Sequence, residues 1–69
     1  MVKALADLNK AIELDPTNAV AYNNRGSLFD DIREFQLALK DLNTAIELSP
    51  EYGNAYYNRG VIFENLGER

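Results

Sequence analysis

The sequence contains no cysteine and no histidine among its 69 residues. Without cysteine, neither a disulfide nor a thiolate metal site can stabilise so short a chain. Without histidine, the chain lacks the commonest metal ligand and the side chain best suited to proton transfer near neutral pH. It also has no glycine-rich phosphate-binding motif. We therefore expect no cofactor and no catalytic centre, and the protein is predicted not to be an enzyme.

Long hydrophobic runs and an excess of positive charge are absent as well. No apolar run approaches the roughly 20 residues of a membrane-spanning helix, and the charged, periodic start MVKALADLNK is not typical of a secretory signal. Eleven acids against seven bases give a net charge of −4. Nucleic acids and anionic membranes attract clustered Lys and Arg, so neither is expected as a partner. A cytoplasmic location is the default expectation.

What the sequence does contain is a repeat. The stretch AIELDPTNAVAYNNRG at 11–26 returns as AIELSPEYGNAYYNRG at 45–60, an offset of 34 residues. Of the 35 residue pairs at this offset, 17 are identical, and the match needs no gap. Chance would give only a few identities, so the repeat is the main organising feature of the chain.

Each period contains helical patterns. Apolar residues recur at steps of three and four, which predicts one buried stripe per helix. The segments LDPTN and LSPEYG contain proline, which cannot continue a helix and therefore marks the boundaries. Asn18 is the expected N-cap of the second helix. The predicted helices cover residues 2–14, 19–32, 35–48 and 53–66.

The connection DDIREFQ between the second and third helices contains neither glycine nor proline, and most of its residues accept helix. We expect a tight turn near Ile32–Glu34, because Phe35 and Leu39 must fold back to cover Phe29. The alternative is a single helix over residues 19–48 that exchanges partners with a second chain.

The repeat resembles the tetratricopeptide (TPR) repeat, whose 34-residue unit is a pair of antiparallel helices. Tyr22 stands where that family usually has Trp, Phe29 where it has Tyr, and Leu42 where it has Phe. The family's small residues and proline are matched by Gly26, Ala38, Ala45 and Pro50. The same positions recur in the final stretch as Tyr56, Gly60 and Phe63, and in the opening stretch as Ala4, Leu8, Ala11 and Pro16.

The resemblance implies an all-α fold in which antiparallel helix pairs stack as a right-handed α-solenoid. In this register, residues 1–18 supply the second helix of one repeat, residues 19–52 form a complete repeat, and residues 53–69 supply the first helix of another. The implied function is a non-catalytic protein–protein interaction scaffold, in which the first helices line a concave groove for a peptide or partner protein.

The groove positions implied by the resemblance are rich in asparagine. An asparagine carboxamide both donates and accepts hydrogen bonds, so a row of them suits an extended peptide. The candidates are Asn23, Asn24, Ser27, Asp31, Asn54, Tyr57, Asn58 and Asn65, with Val20 and Val61 beside them. None is basic, so the basic clamp that some family members use for acidic C-terminal tails is not expected. The alternative is that Asn24 and Asn58 only satisfy local polar groups.

Several charged residues are candidates for a catalytic or cation-binding site or for ion pairs. The adjacent carboxylates Asp30 and Asp31, with Glu34 and Glu64, are residue types used in acid–base catalysis and in cation binding, but no oxygen-ligand loop accompanies them. The pattern favours a solvated helix end. Arg25 and Arg59 stand where the TPR family usually has Leu, so both should be partly covered. We predict that Arg25 pairs with Asp7 and that Arg59 pairs with Asp41, which occupies the equivalent place one period later.

The apolar stripes lead to a hypothesis about assembly. The aromatic residues on these stripes are expected in the core: Tyr22, Phe29, Phe35, Tyr56 and Phe63. A half-repeat at each end would nevertheless expose part of a stripe in a single copy. The self-association candidates are Leu5, Leu8, Ile12, Tyr56, Phe63 and Leu66. The alternative function is therefore a structural self-assembly unit, a fragment or designed excerpt of a longer array. Its copies would form a homo-oligomer through their terminal helices, head to tail or by helix swapping.

Overall fold

In the computed structural model, residues 2–67 are described, and they form an all-α fold. The helices are α1 (Val2–Leu14), α2 (Ala19–Asp31), α3 (Phe35–Leu48) and α4 (Gly53–Gly67). Each boundary lies within one residue of the one predicted from the apolar period and the prolines. None of the described helices is long and apolar enough to cross a bilayer.

The junction between α1 and α2 is fixed by short polar side chains. The Asn18 Oδ1 accepts a hydrogen bond from the Ala21 N–H at 3.2 Å, which confirms Asn18 as the N-cap of α2. Just before it, Thr17 donates from its backbone N–H and from its hydroxyl to the Asp15 Oδ1, at 3.1 Å and 2.7 Å. The bond to Asn18 satisfies an amide group that a helix start leaves without a partner, and the two bonds to Asp15 hold the preceding residues in a turn.

The junction between α2 and α3 is a tight turn, as predicted. Arg33 has φ of 64°, the left-handed conformation that usually belongs to glycine. The Arg33 N–H bonds the Asp30 carbonyl at 3.0 Å, and the Glu34 N–H bonds the Phe29 carbonyl at 2.8 Å. This pair of bonds is the Schellman arrangement that closes a helix C-terminus. The alternative of one unbroken helix over residues 19–48 is therefore wrong, because the turn satisfies the end of α2.

Helix α2 lies at the centre of the packing. It contacts α1, α3 and α4, and α3 also contacts α4. Helix α2 approaches α3 closely at Gly26, where an added Cβ would lie 2.9 Å from the Leu42 Cγ and 3.2 Å from the Ala38 carbonyl oxygen. Among the described residues, the buried apolar core consists mostly of alanine, with two large members: Ala21, Ala38, Leu42, Ala45, Ala55 and Ile62. Small residues let the helices approach closely, and a domain of this size is expected to have a small free energy of unfolding.

The aromatic residues divide into two groups. Tyr22, Phe29 and Phe35 are half-buried against the core cluster, in line with their predicted place. Tyr56 and Phe63, which were also predicted to be core residues, are 43% and 56% exposed. The reason is that α4 contacts only α2 and α3 within the described residues, and neither covers the face on which these two rings lie.

Candidate functional site

Side-chain amides hold α2 against α4. The Asn23 Nδ2 donates to the Tyr52 hydroxyl at 3.3 Å, and the Asn23 Oδ1 accepts from the Asn58 Nδ2 at 2.9 Å. Further along, the Asn65 Nδ2 donates to the Asp30 Oδ1 at 3.0 Å. Asn23 is only 6% exposed, and both its amide nitrogen and its amide oxygen form hydrogen bonds. These bonds fix the relative position of the two helices and remove Asn23 from the accessible surface.

The remaining groove candidates stay on the surface of α2 and α4. Asn24, Asp31 and Asn54 are exposed, Tyr57 is 72% exposed, and Val20 beside them is also exposed. Ser27, Asn58, Val61 and Asn65 are half-buried. Neither Asn24 nor Asn54 bonds another described residue through its amide, whereas Asn58 satisfies Asn23. We name the accessible set the amide surface: Asn24, Ser27, Asp31, Asn54, Tyr57 and Asn58.

Arg25 connects three helices. Its Nε and Nη2 donate to the two Asp41 carboxylate oxygens on α3 at 2.7 Å and 2.8 Å, and its Nη1 donates to the Asn9 Oδ1 on α1 at 2.8 Å. Its guanidinium lies 5.8 Å from the ring centroids of both Tyr22 and Phe29. The Asp41 hydrogen bond is the main reason that the pKa of Arg25 is raised, so the guanidinium keeps its charge.

This arrangement corrects both predicted ion pairs. Asp7 is exposed and is not the partner of Arg25, and Asp41 is the partner of Arg25 rather than of Arg59. Arg59 donates from Nη1 to the Asn43 Oδ1 at 2.9 Å and lies 5.4 Å from the Tyr56 ring centroid. The acid lies on the following helix because α2 packs more extensively against α3 than against α1. The helix before the arginine supplies only an asparagine amide. Both arginines are half-buried, as predicted.

One face of α4 has the same residues as the face of α2 that packs against α3, but no described helix covers it. A Cβ added at Gly60 would meet nothing within 4 Å, in contrast to Gly26. Tyr56, Arg59 and Phe63 lie on the same stripe of the helix, at the positions that correspond to Tyr22, Arg25 and Phe29.

The matching face of α1 is open as well. Its Ala4 and Asp7 are exposed and its Leu8 is half-buried. The α3 counterparts Ala38, Asp41 and Leu42 are no more than 4% exposed. The other self-association candidates, Leu5, Ile12 and Leu66, are half-buried, and Leu66 packs against the core cluster.

The acidic residues at the end of α2 are engaged in structure or solvated. Asp30 accepts the hydrogen bond from Asn65, and Asp31, Glu34 and Glu64 are exposed. Over residues 2–67, no three carboxylates come close enough together to hold a metal ion.

The fold is that of a helical-repeat domain. Residues 3–30 and 34–67 match the family model described as TPR repeat. Because the two matches cover most of the chain, it belongs to the TPR repeat family. Domains of this family generally mediate protein–protein interactions and are typically non-catalytic. Comparison with curated proteins and with solved structures gives no significant match.

Proposed function

We propose that this domain is a non-catalytic interaction scaffold that receives an extended peptide, or an extended segment of a partner protein, on the amide surface. The observation that supports this most is the pair of exposed amides at Asn24 and Asn54 beside the 72% exposed Tyr57. These side chains project from two helices whose spacing is held by the Asn23–Asn58 and Asn65–Asp30 hydrogen bonds. Because the two helices are already held together, they do not have to be ordered when a ligand binds, which lowers the entropic cost of binding.

The chemistry of the surface favours one class of peptide. A carboxamide can pair with the N–H or the C=O of a peptide unit, so it accepts either chain direction. Tyr57 offers a flat apolar ring with a polar tip, a side chain that is common at binding hot spots. Asp31 is the only charged member of the amide surface, and it is acidic. We therefore expect a neutral or basic peptide in preference to an acidic tail.

A peptide array of unrelated sequences tests this function. The strongest binder is then titrated against the isotope-labelled chain by NMR, at a protein concentration low enough to avoid self-association. Tyr57→Ala and Asn24→Ala should each weaken binding by about tenfold, since each removes more than ~1 kcal/mol of contact. Lys40→Ala, at an exposed position of α3, is the matched control and should leave binding unchanged. Binding would lie elsewhere if all three variants lost affinity equally, or if the peptide changed the NMR chemical shifts of α3 alone.

A second candidate function is self-assembly. It is favoured by the open face of α4 around Gly60 and the open face of α1 around Asp7 and Leu8. The packing of α3 on α2 indicates how such faces fit together. Copies of the chain would then join head to tail through unlike surfaces, which gives a ring or an open superhelix rather than a two-fold dimer.

A further inference from the structure

We infer that α1 of one copy covers α4 of another in the register in which α3 covers α2, so that Asp7 of one copy binds Arg59 of the other. This inference rests on the second candidate function, self-assembly, and specifies its contacts. The partner is therefore a second copy of this chain, recognised through a charged pair inside an apolar contact.

The register follows from a contact that the fold already contains. Helix α1 has the α3 sequence at nine of thirteen positions, and α4 keeps the Tyr, Arg, Gly and Phe of α2 at the same spacing. Within the chain, Gly26 lets α3 approach so closely that an added Cβ would be 2.9 Å from Leu42. In the proposed contact, Gly60 takes the place of Gly26, and Leu8 of the second copy takes the place of Leu42.

Charge complementarity supports the same register. Arg25 donates hydrogen bonds to three acceptor atoms, two on Asp41 and one on Asn9. Arg59 repeats the asparagine contact through Asn43, but no carboxylate of residues 2–67 binds it. Asp7 is the residue that corresponds to Asp41, and it is exposed without a partner among the described residues. Bringing Asp7 to Arg59 would complete a bidentate pair of the kind that Arg25 already makes.

The apolar part of the contact is equally open. Phe63 is 56% exposed and Tyr56 is 43% exposed. Their counterparts Phe29 and Tyr22 are half-buried in the packed repeat. Covering the two rings with α1 of a second copy removes apolar surface from water, which is the main source of affinity in such contacts.

One contact in this register opposes association. Within one copy, the Asn65 Nδ2 of α4 donates to the Asp30 Oδ1 of α2. At the junction of two copies, the equivalent positions are Glu64 of α4 and Asp31 of the second copy's α2, so two carboxylates would face each other. Two like charges at this point weaken the contact. Asp31→Asn places an amide opposite the carboxylate, as in the internal pair, and should tighten association. Weaker association in this variant contradicts the register.

A charge-exchange experiment tests the pair directly. Sedimentation velocity is measured over a range of concentrations for the wild type, Asp7→Arg, Arg59→Asp, and an equimolar mixture of the two variants. Each variant alone sets like charges against each other at every junction, so association should weaken at least about tenfold. In the mixture, opposite charges meet at both junctions, and association should return. Circular dichroism of each variant verifies that the helices remain intact.

The matched control is Glu13→Arg, which makes the same charge change at an exposed position of α1. Its association should stay within about twofold of the wild type, because Glu13 forms only an exposed ion pair with Lys10 of the same helix, and such pairs contribute little. The inferred register is overturned, while self-assembly stands, if Asp7→Arg associates as strongly as this control or if mixing the two charge variants does not restore association. If the wild type itself stays monomeric at high micromolar concentration, both the register and the second candidate function fail.

Discussion

Helices α2 and α4 carry the same key residues but lie in different surroundings. Gly26 is pressed against Leu42, whereas Gly60 faces open space. Arg25 binds both an asparagine and an aspartate, whereas Arg59 binds only an asparagine among the described residues. The cause is the next helix, since α3 covers α2 and no described helix covers the corresponding face of α4. In a repeat protein, the environment of a residue is thus set by the neighbouring unit as much as by its own.

This difference predicts that one substitution has different consequences at equivalent positions. The largest effect is expected for Leu42, which is fully buried, compared with Leu8, which is half-buried. Leu42→Ala should lower the free energy of unfolding by about 2–5 kcal/mol, because it removes buried methyl groups and leaves a cavity. So small a domain would then be mostly unfolded. Leu8→Ala should lose less than half as much. Urea denaturation followed by circular dichroism, at low micromolar concentration, measures both, and equal losses would contradict the comparison.

The glycines should respond with opposite signs. Gly26→Ala forces a Cβ against Leu42 and the Ala38 carbonyl oxygen, and such overpacking typically costs about 1–3 kcal/mol. Gly60→Ala meets no neighbour within 4 Å in a single copy, so it should raise the free energy of unfolding by up to ~1 kcal/mol through better helix propensity. Thermal melts of the dilute proteins decide the signs. A loss of stability in both variants would mean that Gly60 is covered within the monomer.

Replacing Asp41 should lower the free energy of unfolding more than replacing its counterpart Asp7. Asp41 is 4% exposed and binds Arg25 through both carboxylate oxygens, whereas Asp7 is exposed. Asp41→Asn leaves Arg25 with a neutral partner, so it should cost about 1–3 kcal/mol of unfolding free energy. Asp7→Asn should change the monomer by less than about 0.5 kcal/mol, as is usual on an open surface. Chemical denaturation of the two proteins under identical conditions provides the comparison, which fails if Asp7 proves the more costly to replace.

The smallest expected change is at Arg33, where the cause is local and no neighbouring repeat is involved. Its φ of 64° strains a side chain that has a Cβ. Arg33→Gly should gain about 0.5 kcal/mol, because relief of this strain exceeds the greater flexibility of glycine in the unfolded chain. Arg33→Ala keeps the strain and loses the contact of the guanidinium with the Phe35 ring at 5.2 Å, so it should be slightly destabilising. A melting temperature that falls for Arg33→Gly would contradict this account.

Much of the fold could be predicted from the sequence, because its signals are local and repeated. The apolar period and the prolines placed every helix end within one residue, and the cap at Asn18 followed from its side-chain chemistry. The turn at Arg33 was predicted without a glycine, from the need of Phe35 to fold back. It forms because two backbone hydrogen bonds close the end of α2.

The contacts between helices were harder to predict. The sequence predicted that Arg25 pairs with Asp7, and only the packing shows that Asp41 on α3 is its partner instead. Asn23 was expected on the groove, yet it is buried because Tyr52 and Asn58 use both sides of its amide. Tyr52 corresponds to Asn18 one period earlier, so comparing the two copies of the repeat did not indicate the contact between Tyr52 and Asn23.

The contrast between α2 and α4 leads to the inference that the open face of α4 is the docking face for a second copy. The most direct measurement is sedimentation equilibrium of Gly60→Gln beside the wild type and Gly53→Ala. Gln at position 60 points into open space in one copy but fills the gap that α1 of a second copy would need. Gly53→Ala is the control, because the equivalent residue in α2 is Ala19 and the extra methyl group fits. We predict that Gly60→Gln remains a folded monomer at concentrations where the other two associate. Association of Gly60→Gln as strong as that of the wild type would contradict the account.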